Sequence, residues 1–192
     1  MKRTLMSVAF AVVAALTVAG CGNDTDSNGS PASSGAQFND ADVTFAQSMI
    51  PHHEQAVEMA TMAQERAASP EVKQLAEKIE AAQGPEIDTM TGWLEDWGQE
   101  VSSDDSMGGM DHSGSDGSGM MTDADMERLG AATGAEFDQM FLEMMIEHHN
   151  GAIEMAKAEQ QDGESPDAIA LAEKIEADQT DEIAQMEDLL GS

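Results

Sequence analysis

The feature that most constrains the fold of this chain is an internal duplication with a constant spacing. The stretch MIPHHEQAVEMA at residues 49–60 returns as MIEHHNGAIEMA at residues 145–156, which is an offset of 96 residues. The same offset relates two identical AEKIEA stretches, at residues 76–81 and 172–177. An offset that holds without a gap across both segments is typical of a duplicated structural unit.

The first copy predicts a helical hairpin. One helix is expected over about residues 40–67, with Asn39 as its N-cap. A second helix is expected to begin at Ser69-Pro70 and to reach about Gly98, because serine is a favourable N-cap and proline is tolerated in the first turn.

The second copy predicts the same hairpin with one addition. Thr122 is expected to cap a short lead helix, and Thr133 with Glu136 forms a capping-box pattern at the start of the main helix. A last helix opens with Ser-Pro and spans about residues 165–190. Two hairpins that each carry one apolar stripe bury those stripes best against each other, so the sequence predicts an all-α four-helix bundle with a pseudo-twofold axis.

A polar layer is predicted inside this bundle. His52 falls on the apolar stripe of the first helix and His53 on its inner edge, and the second copy repeats both. On the following helix, Gln83 and Glu86 interrupt an otherwise apolar face. Buried amide and carboxylate groups need partners, so these side chains are expected to meet the imidazoles.

Metal binding by this layer is the favoured interpretation. A methionine lies three residues before each histidine pair, and imidazole with thioether suits copper or silver, with methionine favouring Cu(I). The predicted ligands are His52, His53, His148, His149, Met49 and Met145. Side chains predicted to orient them, or to act as further ligands, are Gln83, Glu86, Gln179, Glu182, Met59 and Met155. The alternative is that the histidines are core residues satisfied by Gln and Glu.

Methionine is unusually frequent, with 16 residues, while tyrosine is absent. Methionines at helical spacing are often core filler. Met140 and Met144 have no methionine counterpart in the first copy, where Thr44 and Ser48 occupy the matching positions. Their role is open.

Pro51 is an exception within the first predicted helix. Proline there removes the hydrogen bond to Gln47 and is expected to kink the helix. The alternative is that the helix starts or breaks at this point. The counterpart of Pro51 is Glu147, so the fold does not require proline here.

The N-terminal residues predict export and lipidation. Lys2 and Arg3 precede an apolar run over residues 5–19, and VAGC ends at Cys21 like a bacterial lipobox. Residues 1–20 are therefore interpreted as a lipoprotein signal peptide, with an extracytoplasmic chain anchored to the membrane by lipid on Cys21. The alternatives are an ordinary signal peptide or a short membrane anchor. A single cysteine leaves no disulfide and no Cys-based site.

Two polar stretches divide the mature chain. Residues 21–37 are interpreted as a flexible tether and residues 102–121 as a Gly/Ser/Asp/Met-rich linker between the hairpins at 38–101 and 122–192, which together form one bundle domain. Weak metal candidates in the linker are Met107, Met110 and His112. A disordered connector is the favoured interpretation of this linker, and weak capture of a metal by these soft ligands is the alternative.

Charge and motifs exclude several classes of function. The net charge is -30, and -32 once Lys2 and Arg3 are removed, which disfavours nucleic acid and anionic lipid head groups as partners. The chain has no Ser-His-Asp set, phosphate-binding glycine loop or basic aromatic patch. Hydrolase, nucleotide-binding and nucleic-acid-binding functions therefore have no support.

The doubled pattern F…MI.HH..A.EMA, each followed by I…Q..EI..M, resembles the bacterial domain-of-unknown-function family 305 (DUF305) over residues 38–190 apart from the linker. The resemblance implies a ferritin-like fold and a secreted protein or lipoprotein. Some members are linked to copper binding and copper resistance outside the cytoplasm. The family's histidine and methionine positions correspond to Met49, His52, His53, Met145, His148 and His149.

Three functions remain open. The first is a copper-binding lipoprotein that buffers or chaperones the ion without being an enzyme. The second is a di-metal oxidase, which would need Glu-x-x-His motifs that the four paired histidines lack. The third is a metal-independent helical module that binds a protein partner or serves a structural role. The oxidation state of the metal, the number of sites, the transfer partner and the oligomeric state stay open.

Overall fold

The computed structural model describes residues 37–101 and 119–191. Within them the chain forms five α-helices: α1 (Asp40–Arg66), α2 (Pro70–Trp97), α3 (Asp123–Ala131), α4 (Ala135–Asp162) and α5 (Pro166–Leu190). The all-α prediction is therefore confirmed. None of the helices in these residues is long and apolar enough to span a membrane. The predicted signal peptide, the predicted lipidation site Cys21 and most of the linker lie outside the described residues.

Four of the five helices begin at the predicted caps. The Asn39 side chain accepts hydrogen bonds from the backbone N–H groups of Ala41 and Asp42, which closes a capping box on α1. Ser69 and Ser165 cap α2 and α5, each with proline following at the first helical position, and Thr122 caps α3. These starts are set by local sequence, which is why they could be predicted.

The predicted start of α4 is wrong. The capping box of Thr133 and Glu136 does not form; the N-cap is Gly134, and no side chain caps the helix. Gly134 has a φ of 67°, which glycine adopts without strain, and its N–H donates to the Arg66 carbonyl at 2.9 Å. A contact with the end of α1, 68 residues earlier in the chain, therefore sets the start of α4.

Proline does not break either long helix of the first hairpin. Pro51 lies within α1 and Pro85 within α2, and both helices are continuous across them. The alternative that the first helix starts or breaks at Pro51 is therefore wrong.

The helices pack as two antiparallel hairpins, α1 with α2 and α4 with α5. The hairpins meet mainly through α1 and α4, and α3 lies against both of these helices. The apolar interior consists of two clusters. One joins the second half of α1 to the first half of α4, and the other joins the first half of α1 to the second half of α4. This exchange of halves means that α1 and α4 cross in an antiparallel sense, as the predicted pseudo-twofold requires.

The turns of the hairpins are held by a pair of equivalent aspartates. Asp42 on α1 accepts hydrogen bonds from the backbone N–H groups of Glu164 and Ser165, in the turn between α4 and α5. Asp138 on α4, 96 residues later, accepts hydrogen bonds from Ala68 and Ser69 in the other turn. Each hairpin thus fixes the turn of its partner.

The second copy adds a buried carboxyl group to this arrangement. Glu159 lies against Asp42, and neither of its carboxyl oxygens receives an N–H or hydroxyl hydrogen bond from the described residues. Burial raises the pKa of Glu159 most, followed by the hydrogen bond to Asp42 and the negative charge of Asp42, and together they bring it to about 8. Burial also raises the pKa of Asp42, but hydrogen bonds from Glu159 and nearby backbone N–H groups outweigh it and hold that pKa below its usual value. At neutral pH, Glu159 therefore carries the proton that the pair shares.

Candidate metal centre

A polar layer divides the two apolar clusters at mid-height of the bundle. On each of the four long helices the layer residues fall between the residues that belong to one cluster and those that belong to the other. The layer consists of His52 and His53 on α1, Gln83 and Glu86 on α2, His148 and His149 on α4, and Gln179 and Glu182 on α5. The structure thus brings together all eight polar residues that the sequence placed in this layer.

The centre of the layer is a pair of imidazoles in close contact. His52 and His148 approach across the crossing of α1 and α4, with ring centroids 3.7 Å apart and ring planes inclined by 35°. Both residues are buried, with 1% and 0% exposure. The pseudo-twofold axis passes between them, because each is the counterpart of the other.

The outer histidines each pair with a glutamate in their own hairpin. Nε2 of His53 lies 2.9 Å from Glu86 Oε2, and Nε2 of His149 lies 2.7 Å from Glu182 Oε2. In both cases Nδ1 of the same ring is buried without a hydrogen-bond partner in the described residues. The repeated arrangement directs one nitrogen of each ring to a carboxylate and leaves the other available.

Electrostatics fixes the protonation of the first of these pairs. Burial raises the pKa of Glu86, but hydrogen bonds from His53 and Lys174 outweigh it and hold that pKa below its usual value. Burial lowers the pKa of His53 and exceeds the opposing effect of Glu86. At neutral pH the pair is therefore a carboxylate and a neutral imidazole. The ring must donate through Nε2–H, which leaves a lone pair on Nδ1.

His148 is the least anchored ring of the layer. Neither Nδ1 nor Nε2 makes a hydrogen bond of full geometry with the described residues. Burial, followed by the neighbouring histidines, holds the pKa of His148 well below its usual value, against a small opposing effect from the backbone of His52. A neutral, buried imidazole without hydrogen bonds is an available nitrogen donor.

The two glutamines behave differently from the glutamates. Gln83 and Gln179 are buried, as predicted, yet neither amide atom of Gln83 has a hydrogen-bond partner in the described residues, and the same holds for Oε1 of Gln179. The expectation that imidazoles satisfy these amides is therefore wrong for both amide atoms of Gln83 and for Oε1 of Gln179; His53 and His149 pair with Glu86 and Glu182 instead.

Thioethers flank the layer on both sides. Met49 belongs to one apolar cluster, against which Met155 packs. Met145 and Met59 belong to the other cluster. This placement follows the pseudo-twofold, since Met145 and Met155 are the counterparts of Met49 and Met59. Methionines are therefore present in both of the apolar clusters that border the layer.

The side chains of the layer are not arranged as a preformed metal site of histidine, cysteine and carboxylate ligands in the described residues. Within residues 37–101 and 119–191, no three His, Cys, Asp or Glu side chains are grouped so that they could hold a metal ion. The linker candidates Met107, Met110 and His112 lie outside the described residues.

A lysine that sequence reasoning missed joins the two hairpins at the layer. Nζ of Lys174 on α5 lies 2.8 Å from Glu86 Oε1 and 2.7 Å from Asp178 Oδ2. Among the described residues, Glu182 has no such lysine. A signal for this role was present in the sequence. Asp178 lies four residues after Lys174, where it can pair with the lysine on the helix surface, whereas the first copy has Ala82 at the matching position.

Solved structures with the same fold include metal-bound proteins. A DUF305 protein from Streptomyces coelicolor, assigned as secreted, is 36% identical over 79% of this chain and 92% of its own, with a TM-score of 0.70. A DUF305 fragment from Deinococcus radiodurans is 29% identical over 80% and 97%, with a TM-score of 0.69. The Cu(II)-bound form of CopM is 35% identical over 78% and 95%, with a TM-score of 0.68. CopM is also known in Cu(I)-bound and Ag-bound forms.

No curated protein matches the chain. The family model described as "Domain of unknown function (DUF305)" matches residues 42–190, which cover α1 to α5 and the linker. The chain therefore belongs to the DUF305 family.

Proposed function

We propose that this chain is an extracytoplasmic protein that binds copper, most readily as Cu(I), and that it buffers or chaperones the ion rather than catalysing a reaction. The ligands in this proposal are the imidazoles of His52, His53, His148 and His149 with the thioethers of Met49 and Met145. Glu86 and Glu182 act on the ion indirectly, by orienting the rings that donate to them.

The observation that carries the proposal is the state of the ring nitrogens. His53 and His149 each direct Nε2 to a carboxylate, and Nδ1 remains buried without a partner. Histidines that bind metals typically donate their other N–H to a carboxylate in this way. A purely structural layer would be expected to satisfy its buried nitrogens, because each unsatisfied polar group costs about 1 to 3 kcal/mol.

Loading requires a small rearrangement of the layer. The ring centroids of His52 and His148 are 3.7 Å apart, which leaves no room for an ion between the two rings. His148 makes no hydrogen bond of full geometry that would resist rotation of its ring. This ring is therefore the one that turns to meet an ion held by the anchored histidines and the neighbouring sulfur.

The donor set suits the proposed cargo. Neutral imidazole and thioether are soft or intermediate ligands that favour Cu(I) and Ag(I) over hard cations. CopM, which shares the fold at 32–35% identity, has been crystallised with Cu(I), Cu(II) and Ag bound. This likeness supports copper as the ion for the present chain.

Competition with a Cu(I) chelator tests the proposal. We expect replacement of His52, His53, His148 and His149 by alanine to lower Cu(I) affinity by more than 100-fold, which exceeds the roughly 10- to 100-fold effect typical of losing an orienting partner. The matched control replaces Glu58, Glu80, Glu154 and Glu173 by alanine, because these are exposed positions on the same four helices. Circular dichroism establishes that the variant remains helical. Unchanged affinity in a folded variant would leave the metal-independent module as the better function.

The membrane anchor is a separate proposal about Cys21. The lipobox-like VAGC sequence supports lipidation of this cysteine after cleavage. Cys21→Ala is expected to move the protein from the membrane fraction to the soluble extracytoplasmic fraction. Retention in the membrane would favour an uncleaved apolar anchor instead.

A further inference from the structure

A second group of methionines lies outside the histidine layer. A cavity of about 290 Å³ between α3 and α4 is lined by Met120, Met121, Met140 and Met144. A buried water needs only about 10 to 15 Å³ of such space, so the cavity can hold an ion together with water. None of these methionines belongs to the ligand set proposed above.

Core packing alone does not account for the two methionines on α4. Met140 and Met144 are four residues apart and so share one face of the helix. Their counterparts in the first copy are Thr44 and Ser48, so this bundle does not need an apolar side chain at either position. Both methionines are only partly buried against the core.

The other two methionines are held in place by their backbone. Gln55 accepts a hydrogen bond from the Met121 N–H at 2.7 Å and donates one to the Met121 carbonyl at 2.9 Å. At Gly119, where φ is 74°, a Cβ atom would lie 2.7 Å from the Glu147 carbonyl oxygen and 3.0 Å from Gly151 Cα. Only glycine allows this close approach to α4, which brings the following methionines against the methionines of the helix.

The charge around the cavity favours a cation. Asp125, Glu143 and Glu147 contribute three carboxyl groups to the lining, against one guanidinium from Arg128. Arg128 is itself paired with Asp125 at 3.0 Å. These carboxyl groups do not form a hard-metal site, because no group of three His, Cys, Asp or Glu residues in the described parts of the chain could hold an ion.

From this arrangement we infer that the methionine cavity between α3 and α4 is a second metal site, which takes a soft monovalent cation such as Cu(I) or Ag(I) through thioether sulfur. The carboxyl groups draw the cation towards the cavity, and the sulfurs select it, because thioethers discriminate strongly against hard ions. The site shares no residue with the histidine layer and does not depend on copper binding there.

Silver binding to the full chain tests this inference, since Ag(I) is a stable substitute for Cu(I). Native mass spectrometry is expected to show one Ag(I) fewer on the variant M140L/M144L than on the wild type. The matched control is M62L/M126L, which replaces two methionines that pack on the same core without lining the cavity. Methionine-to-leucine changes conserve volume, so both variants are expected to fold.

A second measurement does not depend on the variants. In wild-type protein labelled with ¹³C at the methionine methyl groups, Ag(I) is expected to shift the signals of Met140 and Met144, while those of Met62 and Met126 stay in place. Unmoved signals of Met140 and Met144, or an equal number of silver ions on both double variants, would overturn the inference.

The two metal sites can fail separately. If the four-histidine alanine variant loses every silver ion, the cavity is not a site, and the proposed function stands. If that variant keeps all its silver while M140L/M144L loses one ion, the cavity is a site and the proposed function is wrong.

Discussion

In the first copy of the hairpin, Glu86 is hydrogen-bonded to both His53 and Lys174. In the second copy, Glu182 is hydrogen-bonded to His149, and no lysine of the described residues joins it. The imidazole–carboxylate pair is thus the same in both halves, but the lysine that bonds to the carboxylate is present in the first half alone among the described residues. The shared part identifies what the duplicated unit needs in order to build the layer. The unshared part shows where the two halves have diverged.

The same division holds elsewhere in the bundle. Asp42 and Asp138 fix the turn of the opposite hairpin in equivalent ways, so this contact belongs to the common design. Glu159 occupies the position of Ala63 and adds a proton-binding group to one turn only. The two cavity methionines on α4 likewise stand where the first copy has Thr44 and Ser48. The contacts that hold the turns are therefore common to both copies, whereas Glu159 and these methionines are not.

The largest expected effect comes from removing the two turn aspartates. Asp42→Ala is expected to lower the free energy of unfolding by about 3 kcal/mol and Asp138→Ala by about 1 to 2 kcal/mol, since unsatisfied buried donors cost more than donors that water can reach. Asp42 is buried, whereas Asp138 is partly exposed. Urea unfolding of both variants measures the difference. Equal losses would contradict the role assigned to burial.

A smaller effect is expected from Glu159, and it depends on pH. The folded state holds this proton up to about pH 8, whereas the unfolded carboxyl loses it near pH 4.5. Between these two pKa values the folded state binds one more proton than the unfolded state. The free energy of unfolding therefore falls as pH rises from about 4.5 towards 8. We expect the wild type to lose about 2 kcal/mol of stability between pH 6 and pH 9 from this group.

Glu159→Gln sharpens this prediction. The amide keeps a hydrogen bond to Asp42 without a titrating proton, so stability should be flatter between pH 6 and pH 9. Glu58→Gln, at an exposed position of α1, is the control and should retain the wild-type slope. Thermal unfolding at several pH values measures both. A Glu159→Gln slope that matches the wild type would assign the pH dependence to another group.

The smallest expected effect separates Lys174 from its counterpart Lys78. Lys174→Met removes a half-exposed ion pair to Glu86 and is expected to cost about 1 kcal/mol, while Lys78→Met should cost less than about 0.5 kcal/mol. Salt should reduce the cost at Lys174 because part of this pair is solvent-accessible. Equal costs at both lysines, measured by urea unfolding, would mean that the asymmetry has no energetic effect.

The sequence was sufficient where structure depends on nearby residues or on helical spacing. Asn39 and Ser69 cap their helices through bonds that span two or three residues, and the spacing of His53 and Glu86 placed them on facing stripes. The duplication then supplied the pairing of the hairpins. These signals are local or periodic, and both kinds can be found in a single sequence.

Contacts between distant segments could not be predicted in the same way. The start of α4 depends on a bond from Gly134 to Arg66, and Asp42 acts on a turn more than 120 residues away. The contact between the rings of His52 and His148 depends on how closely α1 and α4 approach, which helical periodicity does not specify. In each case the partner is determined by the packed bundle rather than by its position in the chain.

The division of the apolar interior by the histidine layer has a mechanical consequence. Each end of the bundle holds its own small core. The layer that joins these cores contains buried ring nitrogens and amide groups without hydrogen-bond partners in the part of the chain that the structure describes. Cohesion between the two ends is therefore weakest at the level where an ion would bind. A cation that bridges α1 and α4 at this level would hold the two ends of the bundle together. Resistance of the protein to proteolysis would then rise with the concentration of metal around the cell.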